Sequence, residues 1–394
     1  MEYLSSRRHA LLGFAVAAAY WPGLLTAAFT PRWAVLAVGL PLVCSLDPRR
    51  LSPLIAWGVP WVLAWGTISL LASPDPLAGA QELWFCALLF GTMILGAELD
   101  SLDDVMTGFA AGLVLSLVVA VLQAESVSLL PTQTRISGLF LNSEILASTA
   151  ALMFAWAVAR PRWLIAVMSL ILVIWSESRI GLLICAGSTA YAYAPRSWIW
   201  RAVGIAVLVM AALAAVVAWG PYKIGTAEHR FVLWIATAMA TTPFGAGLGW
   251  FQAAHPVEAF AHSDVLQAAA ELGLGAIPLL FIPVVALFNK QGSHADRTLF
   301  LAAMVLALVS FPLHMPATGF LAALVAGRLV ARRRDLCSRN IDRREYDELR
   351  VRWPVAAGVG LSLDSGHGGE YLPVQSRSPA VAPVFDAADI QRGF

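Results

Sequence analysis

Long apolar runs alternate with short polar breaks along the chain from its first residues to about position 331. A helix needs about 20 apolar residues to cross a membrane, so the pattern predicts an all-α, polytopic membrane protein with about twelve transmembrane helices. The first run begins like a signal peptide, but it continues to Phe29, which favours an uncleaved span. The predicted spans are 10–29, 33–46, 51–72, 79–97, 105–123, 145–159, 163–176, 180–194, 198–219, 264–288, 298–313 and 317–331.

The positions of the basic residues support this number of spans. Lysine and arginine are enriched in cytoplasmic loops, and removing one span would move basic doublets to the outside. Twelve spans with both termini in the cytoplasm is therefore the self-consistent topology. It places these basic groups inside: Arg7 with Arg8, Arg49 with Arg50, Arg160 with Arg162, and Arg332 to Arg334.

The composition agrees with a membrane protein, and it distinguishes the C-terminal segment from the rest of the chain. Of the 394 residues, 59% are hydrophobic and only 13% are charged, whereas soluble domains are about 25% charged. This excludes a soluble enzyme with one core and a nucleic-acid-binding protein. Residues 332–394 are first rich in arginine and acids and then in Gly, Ser and Pro. The sequence predicts a transmembrane domain over 1–331 and a cytoplasmic tail over 332–394, largely disordered.

The longest segment predicted to lie outside is about 220–263. Residues 228–240 have a helical pattern with apolar bulk, which predicts an interfacial helix in the plane of the membrane surface. The stretch PFGAGLG at 243–249 contains one proline and three glycines, so it is predicted to be a turn or loop.

Ionisable residues outside the cytoplasmic loops cluster at the predicted outer face, which makes this face the candidate site. Arginine is uncommon on this side, because basic residues are enriched in cytoplasmic loops. Because a guanidinium binds phosphate oxygens in a bidentate manner, three outer arginines predict an anion site. The outer set is Arg135, Arg179, His229, Arg230, His255, Glu258, His262, Asp264 and His314.

Each residue also has a structural alternative. These are a lipid-phosphate contact for Arg135, an ion pair with Glu177 for Arg179, a solvated helix face for His229 and Arg230, a helix start for His262, and a satisfied loop position for His314. The helix start rests on Ser263 and Asp264, which are good N-cap residues. The ionisable residues of the outer set all lie on one predicted side of the membrane, and this shared location favours a functional site over the separate interpretations.

Three segments carry a family resemblance. RISGLFLNSEILASTAAL at 135–152 is similar to an Arg-x-x-Gly-x-Phe-x-Asn pattern, and SESRIGLL at 176–183 to a Ser-Arg-Gly turn. Residues 229–279 are similar to a series of Pro-x-x-Gly-x-Gly, His-Asn and Glu-x-Gly-x-x-Gly motifs. Together they resemble the O-antigen ligase and polymerase superfamily of bacterial envelope glycosyltransferases. Ser263 departs from the Asn of the pattern, and Ile180 from a small residue.

The resemblance implies a reaction and its partners. Such enzymes move a glycan from undecaprenyl diphosphate to an acceptor hydroxyl, on lipid A–core in the ligases, at the periplasmic face of the bacterial inner membrane. Membrane lipids are further partners, and no cofactor, metal or nucleic acid is implied. The implied catalytic residues are Arg179 and Arg230, on the leaving diphosphate, and His262, as base. The implied substrate-binding residues are Arg135, Asn142, His229, Glu258 and Asp264.

Two alternatives stay open at this point. An O-antigen or exopolysaccharide polymerase, or a protein-glycosylating relative, would use the same donor chemistry as a ligase. A twelve-span polysaccharide or lipid transporter is the alternative from another class. Carriers place ionisable groups near the bilayer midplane in broken helices, whereas the predicted span interiors are nearly free of charge.

Overall fold

The computed structural model describes residues 2–21, 28–45, 50–127, 135–193, 224–255, 260–288 and 292–331. The first compact unit runs from Met1 to Arg334. The predicted span 198–219, Glu258 and the predicted tail 332–394 lie outside the described residues.

Within the described residues all regular structure is helical, which confirms the predicted all-α class. Eleven of the twelve predicted spans correspond to helices, and the remaining one, 198–219, lies outside the described part. The helices are α1 Glu2–Ala18, α2 Thr30–Val43, α3 Pro53–Leu71, α4 Pro76–Glu98, α5 Asp103–Ala124, α6 Ser143–Ala159, α7 Trp163–Trp175, α8 Arg179–Tyr193, α9 Ile224–Met239, α10 Trp250–Ala254, α11 Asp264–Leu272, α12 Ile277–Phe288, α13 His294–Val309 and α14 Pro316–Val330. Short 3-10 turns lie at Gly138–Phe140, Gly273–Ala276 and Pro312–His314.

Polar residues in the breaks begin several of these helices. Ser52 accepts a hydrogen bond from the Ile55 amide at the start of α3, and Asp75 accepts two from the first turn of α4. Ser293 and Asp296 form a capping box at the start of α13. Such caps satisfy amide groups that have no partner within the helix, so the breaks in the apolar pattern fix where the helices start.

Four helical segments are long and apolar enough to cross a membrane by length and composition: Pro53–Leu71, Pro76–Glu98, Asp103–Ala124 and Asp264–Phe288. Four further apolar helices, α2, α6, α7 and α14, have 13 to 17 residues. At 1.5 Å per residue, these reach about 20–26 Å, against a hydrocarbon core of about 30 Å. The described residues therefore support membrane-spanning helices but do not reach the predicted number of twelve.

Helix α14 and helix α6 lie at the centre of the bundle, and nearly all of their residues are buried. Close packing relies on small residues, because Gly108 of α5 lies against the backbone of Ala10 in α1 and Gly327 of α14 lies against the backbone of Met93 in α4. This arrangement is common where helices associate in lipid.

Charged residues collect at the two ends of this bundle. At the end we call the basic end, Arg50 lies 3.6 Å from Asp100, Arg160 pairs with Asp103, and Arg328 donates to the carbonyl of Asp100. Arg50 and Arg160 were predicted on one side of the membrane, and they do lie at one end. The opposite end, which we call the site end, comprises the 72–75 turn, residues 240–255 and 260–263, and the 310–315 turn.

Candidate functional site

A glycine-rich loop forms the floor of the site end. The Ser69 hydroxyl donates to the carbonyl of Glu271 at 3.0 Å and accepts from the Leu248 amide at 3.1 Å. Gly245 has φ +78, and a Cβ there would meet the backbone at Glu271. The PFGAGLG stretch is a loop, as predicted, and its glycines allow it to lie directly on α3 and α11.

A buried histidine bridges two carboxylates beside this loop. His314 Nδ1 lies 2.6 Å from Asp264 Oδ1, and its Nε2 lies 3.2 Å from Glu82 Oε2. The second Asp264 oxygen accepts from the Leu313 amide at 2.8 Å. The side chains of His314, Glu82 and Asp264 are only 13%, 11% and 3% exposed. We call this unit the Glu–His–Asp bridge; it connects α4, α11 and the 310–315 turn.

The two carboxylates determine the protonation of His314. Burial by itself lowers the pKa of an imidazole, but Glu82 and Asp264 outweigh it and raise the pKa of His314 well above its usual 6.5. The ring is therefore an imidazolium at neutral pH, and each of its N–H groups donates to one carboxylate.

Further polar groups extend the bridge. Gln252 donates to the second oxygen of Glu82 at 3.0 Å. Glu271 accepts from the amide of Phe251 at 3.2 Å and from Gln267 at 3.3 Å. These residues are mostly buried, and their hydrogen bonds offset the cost of removing polar groups from water. The loop, α4 and α11 are thus joined by one polar network.

His262 lies next to this network through ring contacts. Its imidazole centroid is 5.0 Å from that of Phe311, which lies 4.8 Å from Phe260, and Phe260 lies 4.7 Å from His314. The His262 carbonyl accepts from Trp234 Nε1 at 3.2 Å, and its backbone has φ +56. The next residue, Ser263, caps α11 by accepting from the Leu266 amide, which confirms the predicted helix start.

Arg230 of α9 reaches the start of α6. Its Nη2 lies 3.3 Å from Glu144 Oε2, with side chains 22% and 44% exposed. A small open pocket, with an internal volume of about 10 Å³, adjoins this pair, with walls that include Glu144, Ile145, Ser310, Phe311, Pro312 and Met315. The pocket thus has Arg230 attached to one lining residue, Glu144, and His262 packed against another, Phe311.

Arg32, which lies between the first two predicted spans, has a structural role. It is fully buried and donates to the carbonyls of Val16 and Ala17, both at 3.0 Å, and its guanidinium lies 4.1 Å from the Phe140 ring. It therefore binds the unpaired carbonyls at the end of α1 and fixes the segment that precedes Asn142.

The remaining predicted site residues take several positions. Asn142 caps α6, because its side chain accepts from the amides of Glu144 and Ile145. Arg135 and Arg179 are half-buried, Arg179 at the first residue of α8, and His229 is exposed. Gly181 in the first turn of α8 packs on Ala147 of α6, so α8 also begins close to the start of α6. Asp264 belongs to the Glu–His–Asp bridge rather than lying free for substrate.

Sequence analysis missed three residues of this end, Glu82, Glu144 and Glu271, and also the bridging role of His314. Glu82 and Glu271 stand inside apolar runs, where a carboxylate needs a partner, and this was the available signal. At a rise of 1.5 Å per residue, Glu82 lies about 9 Å along α4 from the first residue of that helix. The predicted span interiors are therefore less free of charge than the sequence suggested.

Comparison with known protein families and with curated proteins finds no match to this chain.

Proposed function

We propose that this protein is a membrane glycosyltransferase that moves a glycan from a polyprenyl diphosphate carrier to an acceptor hydroxyl. The observation that carries the proposal is the pocket at the site end, with the Arg230–Glu144 pair on one wall and the His262–Phe311 contact on another. The resemblance of residues 135–152, 176–183 and 229–279 to the O-antigen ligase superfamily supports the same function.

Arg230 is assigned to the diphosphate. A guanidinium donates two parallel hydrogen bonds to phosphate oxygens, and it stabilises the charge that develops as the glycosidic bond breaks. In the structure the guanidinium of Arg230 is held by Glu144, whose side chain is 44% exposed. The donor diphosphate displaces this carboxylate, so Glu144 keeps Arg230 in place before the donor arrives. Arg179 is assigned to the same diphosphate.

His262 is assigned as the base. The acceptor oxygen attacks the anomeric carbon, the bond from that carbon to the diphosphate oxygen breaks, and His262 takes the hydroxyl proton. The products are the glycosylated acceptor and the polyprenyl diphosphate. His262 precedes the start of α11, and the positive end of a helix dipole favours a neutral, proton-accepting imidazole.

The lipid part of the donor is assigned to the face of α9 that points away from the protein. Its large apolar side chains are exposed, with Phe231 at 61%, Ile235 at 47% and Met239 at 82%. Leu233 and Thr237 are buried on the opposite face. A helix with one buried face and one exposed apolar face suits the membrane interface, and Arg230 on this helix lies where a headgroup would meet it.

A reconstituted transfer assay tests the function. The purified protein is given a polyprenyl diphosphate-linked glycan and lipid A–core, and then a second carrier-linked glycan, which separates a ligase from a polymerase. We expect Arg230→Lys and Arg179→Lys to impair transfer and His262→Ala to lower the rate by about 10²–10⁴. Activity should persist in EDTA. Arg160→Lys at the basic end is the matched control, and full activity of both Arg230→Lys and His262→Ala would overturn the proposal.

The proposed location is the bacterial inner membrane with the site end in the periplasm. Cysteine placed at position 255 should react with a reagent that cannot cross the membrane, and cysteine at position 291 should not. The opposite labelling pattern would reverse the orientation and exclude a periplasmic donor site.

A proton-coupled transporter is the second candidate, because Glu82 and Glu271 lie buried within candidate spans beside His314. Chains of Asp, Glu and His mark proton pathways in pumps and carriers. Both glutamates lie about 9–11 Å from the start of their segments, whereas carrier sites lie near the midplane at about 15 Å. Vesicle uptake of a carrier-linked glycan driven by a pH gradient, without transfer, would favour the transporter.

A further inference from the structure

We propose that His314 is a positioning residue: by bridging Asp264 and Glu82 it fixes the 310–315 turn, and thereby the pocket wall and the orientation of His262. The consequence for catalysis rests on the proposed function, whereas the structural coupling itself does not.

The bridge is the main polar connection between this turn and the helices beneath it. One Asp264 carboxylate accepts from both the Leu313 amide and His314, and the Asp264 amide donates to the carbonyl of Ser310 at 3.3 Å. Glu82 holds the other side of the same imidazole. The turn is therefore attached to α11 at both of its ends and to α4 through His314.

Two residues of this turn extend the coupling to the pocket. Phe311 lines the pocket and contacts the His262 ring at 5.0 Å, and Pro312 lines it as well. Phe260 lies between Phe311 and His314, at 4.8 Å and 4.7 Å from their rings. A shift of His314 would therefore move the pocket wall and the ring on which His262 rests.

The positive charge of His314 makes the bridge conditional on pH. Among the described residues, the charged groups around it are the carboxylates of Glu82 from α4 and of Asp264 and Glu271 from α11, and the thiol of Cys86 in α4 lies near the same carboxylates. Once the imidazolium loses its proton, one ring nitrogen can no longer donate, and the carboxylates repel each other without a counter-charge. Because the pKa of His314 is raised, the bridge is complete at neutral pH, and it weakens as pH rises through that pKa.

Cysteine labelling at the pocket wall tests the coupling without any substrate. Ser310→Cys is introduced into full-length protein with the four native cysteines replaced, and its reaction rate with a small maleimide is measured. We expect His314→Gln to raise the rate about tenfold or more, as loss of a charged hydrogen bond allows the turn to open. His294→Gln is the matched control, because His294 stacks on Tyr191 at the start of α13, far from the turn along the chain, and its rate should equal that of the parent.

The pH profile separates positioning from a general loss of stability. The rate of each protein is first divided by its own thiolate fraction, because removing the charge of His314 also shifts the ionisation of a thiol at position 310. The ratio of the His314→Gln rate to the parent rate is then taken. This ratio should fall towards one as pH rises through the pKa of His314. Glu82→Gln, which keeps the side-chain volume, provides a second variant should His314→Gln fail to fold. Equal labelling of the parent and either folded variant at neutral pH would overturn the proposal.

Measurement of glycan transfer provides a second, independent test of the role of His314. If the proposed function holds, folded His314→Gln should lower kcat with little change in KM for the donor, because Arg230 is untouched. If neither parent nor variant transfers a glycan while labelling still responds to His314, the proposed function fails and the coupling stands.

Discussion

Charge is arranged differently at the two ends of the bundle. At the basic end two carboxylates that face arginines stay partly open to water, with Asp100 69% and Asp103 32% exposed. At the site end Glu82 and Asp264 are 11% and 3% exposed and share one histidine. The first arrangement consists of separate surface ion pairs between short turns, whereas the second is a single buried network that connects three elements.

The two sets of charges differ in how much they contribute to the stability of the fold. Exposed pairs contribute about 0–1 kcal/mol each and are screened by salt. Breaking a buried pair leaves a charge without a partner and costs about 3–5 kcal/mol. A buried network is costly to form in a membrane protein, so its placement beside a pocket points to a role beyond holding helices together.

Asp264→Ala should give the largest loss of stability. It leaves the imidazolium of His314 with one carboxylate and removes the acceptor of the Leu313 amide. We expect a destabilisation of about 3–5 kcal/mol, seen as a lower temperature at which the purified protein loses its monodisperse peak. A loss no greater than that of Asp100→Ala would remove the distinction between the two ends.

Gly245→Ala should give a smaller but clear loss. Its φ of +78 strains a residue with a side chain, and the added Cβ would meet the backbone at Glu271. A cost of about 1–3 kcal/mol follows from such strain. Gly91→Ala in α4 is the control, because Gly91 has an ordinary helical backbone and only the end of the Leu40 side chain nearby. Equal thermal stability of the two variants would show that the loop does not require its glycines.

Asp100→Ala should give the smallest effect. The long contact from Arg50, 3.6 Å, is lost, whereas Arg328 still donates to the backbone carbonyl of residue 100. We expect a change below about 1 kcal/mol that shrinks further in high salt. Unfolding temperatures at low and high ionic strength measure it, and a large loss that is independent of salt would contradict the surface-pair interpretation.

Local sequence features predicted the helices well and the network poorly. Apolar runs located α3 to α8, the glycines located the 243–249 loop, and Ser263 marked the start of α11. These signals are local, because hydrophobic periodicity and capping act within a few residues.

The partners of the site residues depend on tertiary packing instead. Glu82 and Asp264 are 182 positions apart and meet only through His314, so no local pattern of spacing could pair them. The same holds for Arg230 and Glu144, which are 86 positions apart. Arg32 is a further case, because its position between the first two predicted spans does not indicate that it caps α1 from a fully buried position.

Donor binding tests the central claim most directly, namely that the site end binds a lipid diphosphate through Arg230. The affinity of undecaprenyl diphosphate for the protein in nanodiscs is compared among the wild type, Arg230→Gln, Glu144→Gln and Arg160→Gln. We predict that Arg230→Gln weakens binding at least about tenfold and that Arg160→Gln leaves it unchanged. Glu144→Gln should tighten it by about threefold to tenfold, because it removes the carboxylate that competes for the guanidinium. Wild-type affinity in Arg230→Gln, or an equal loss in Arg160→Gln, would contradict the account.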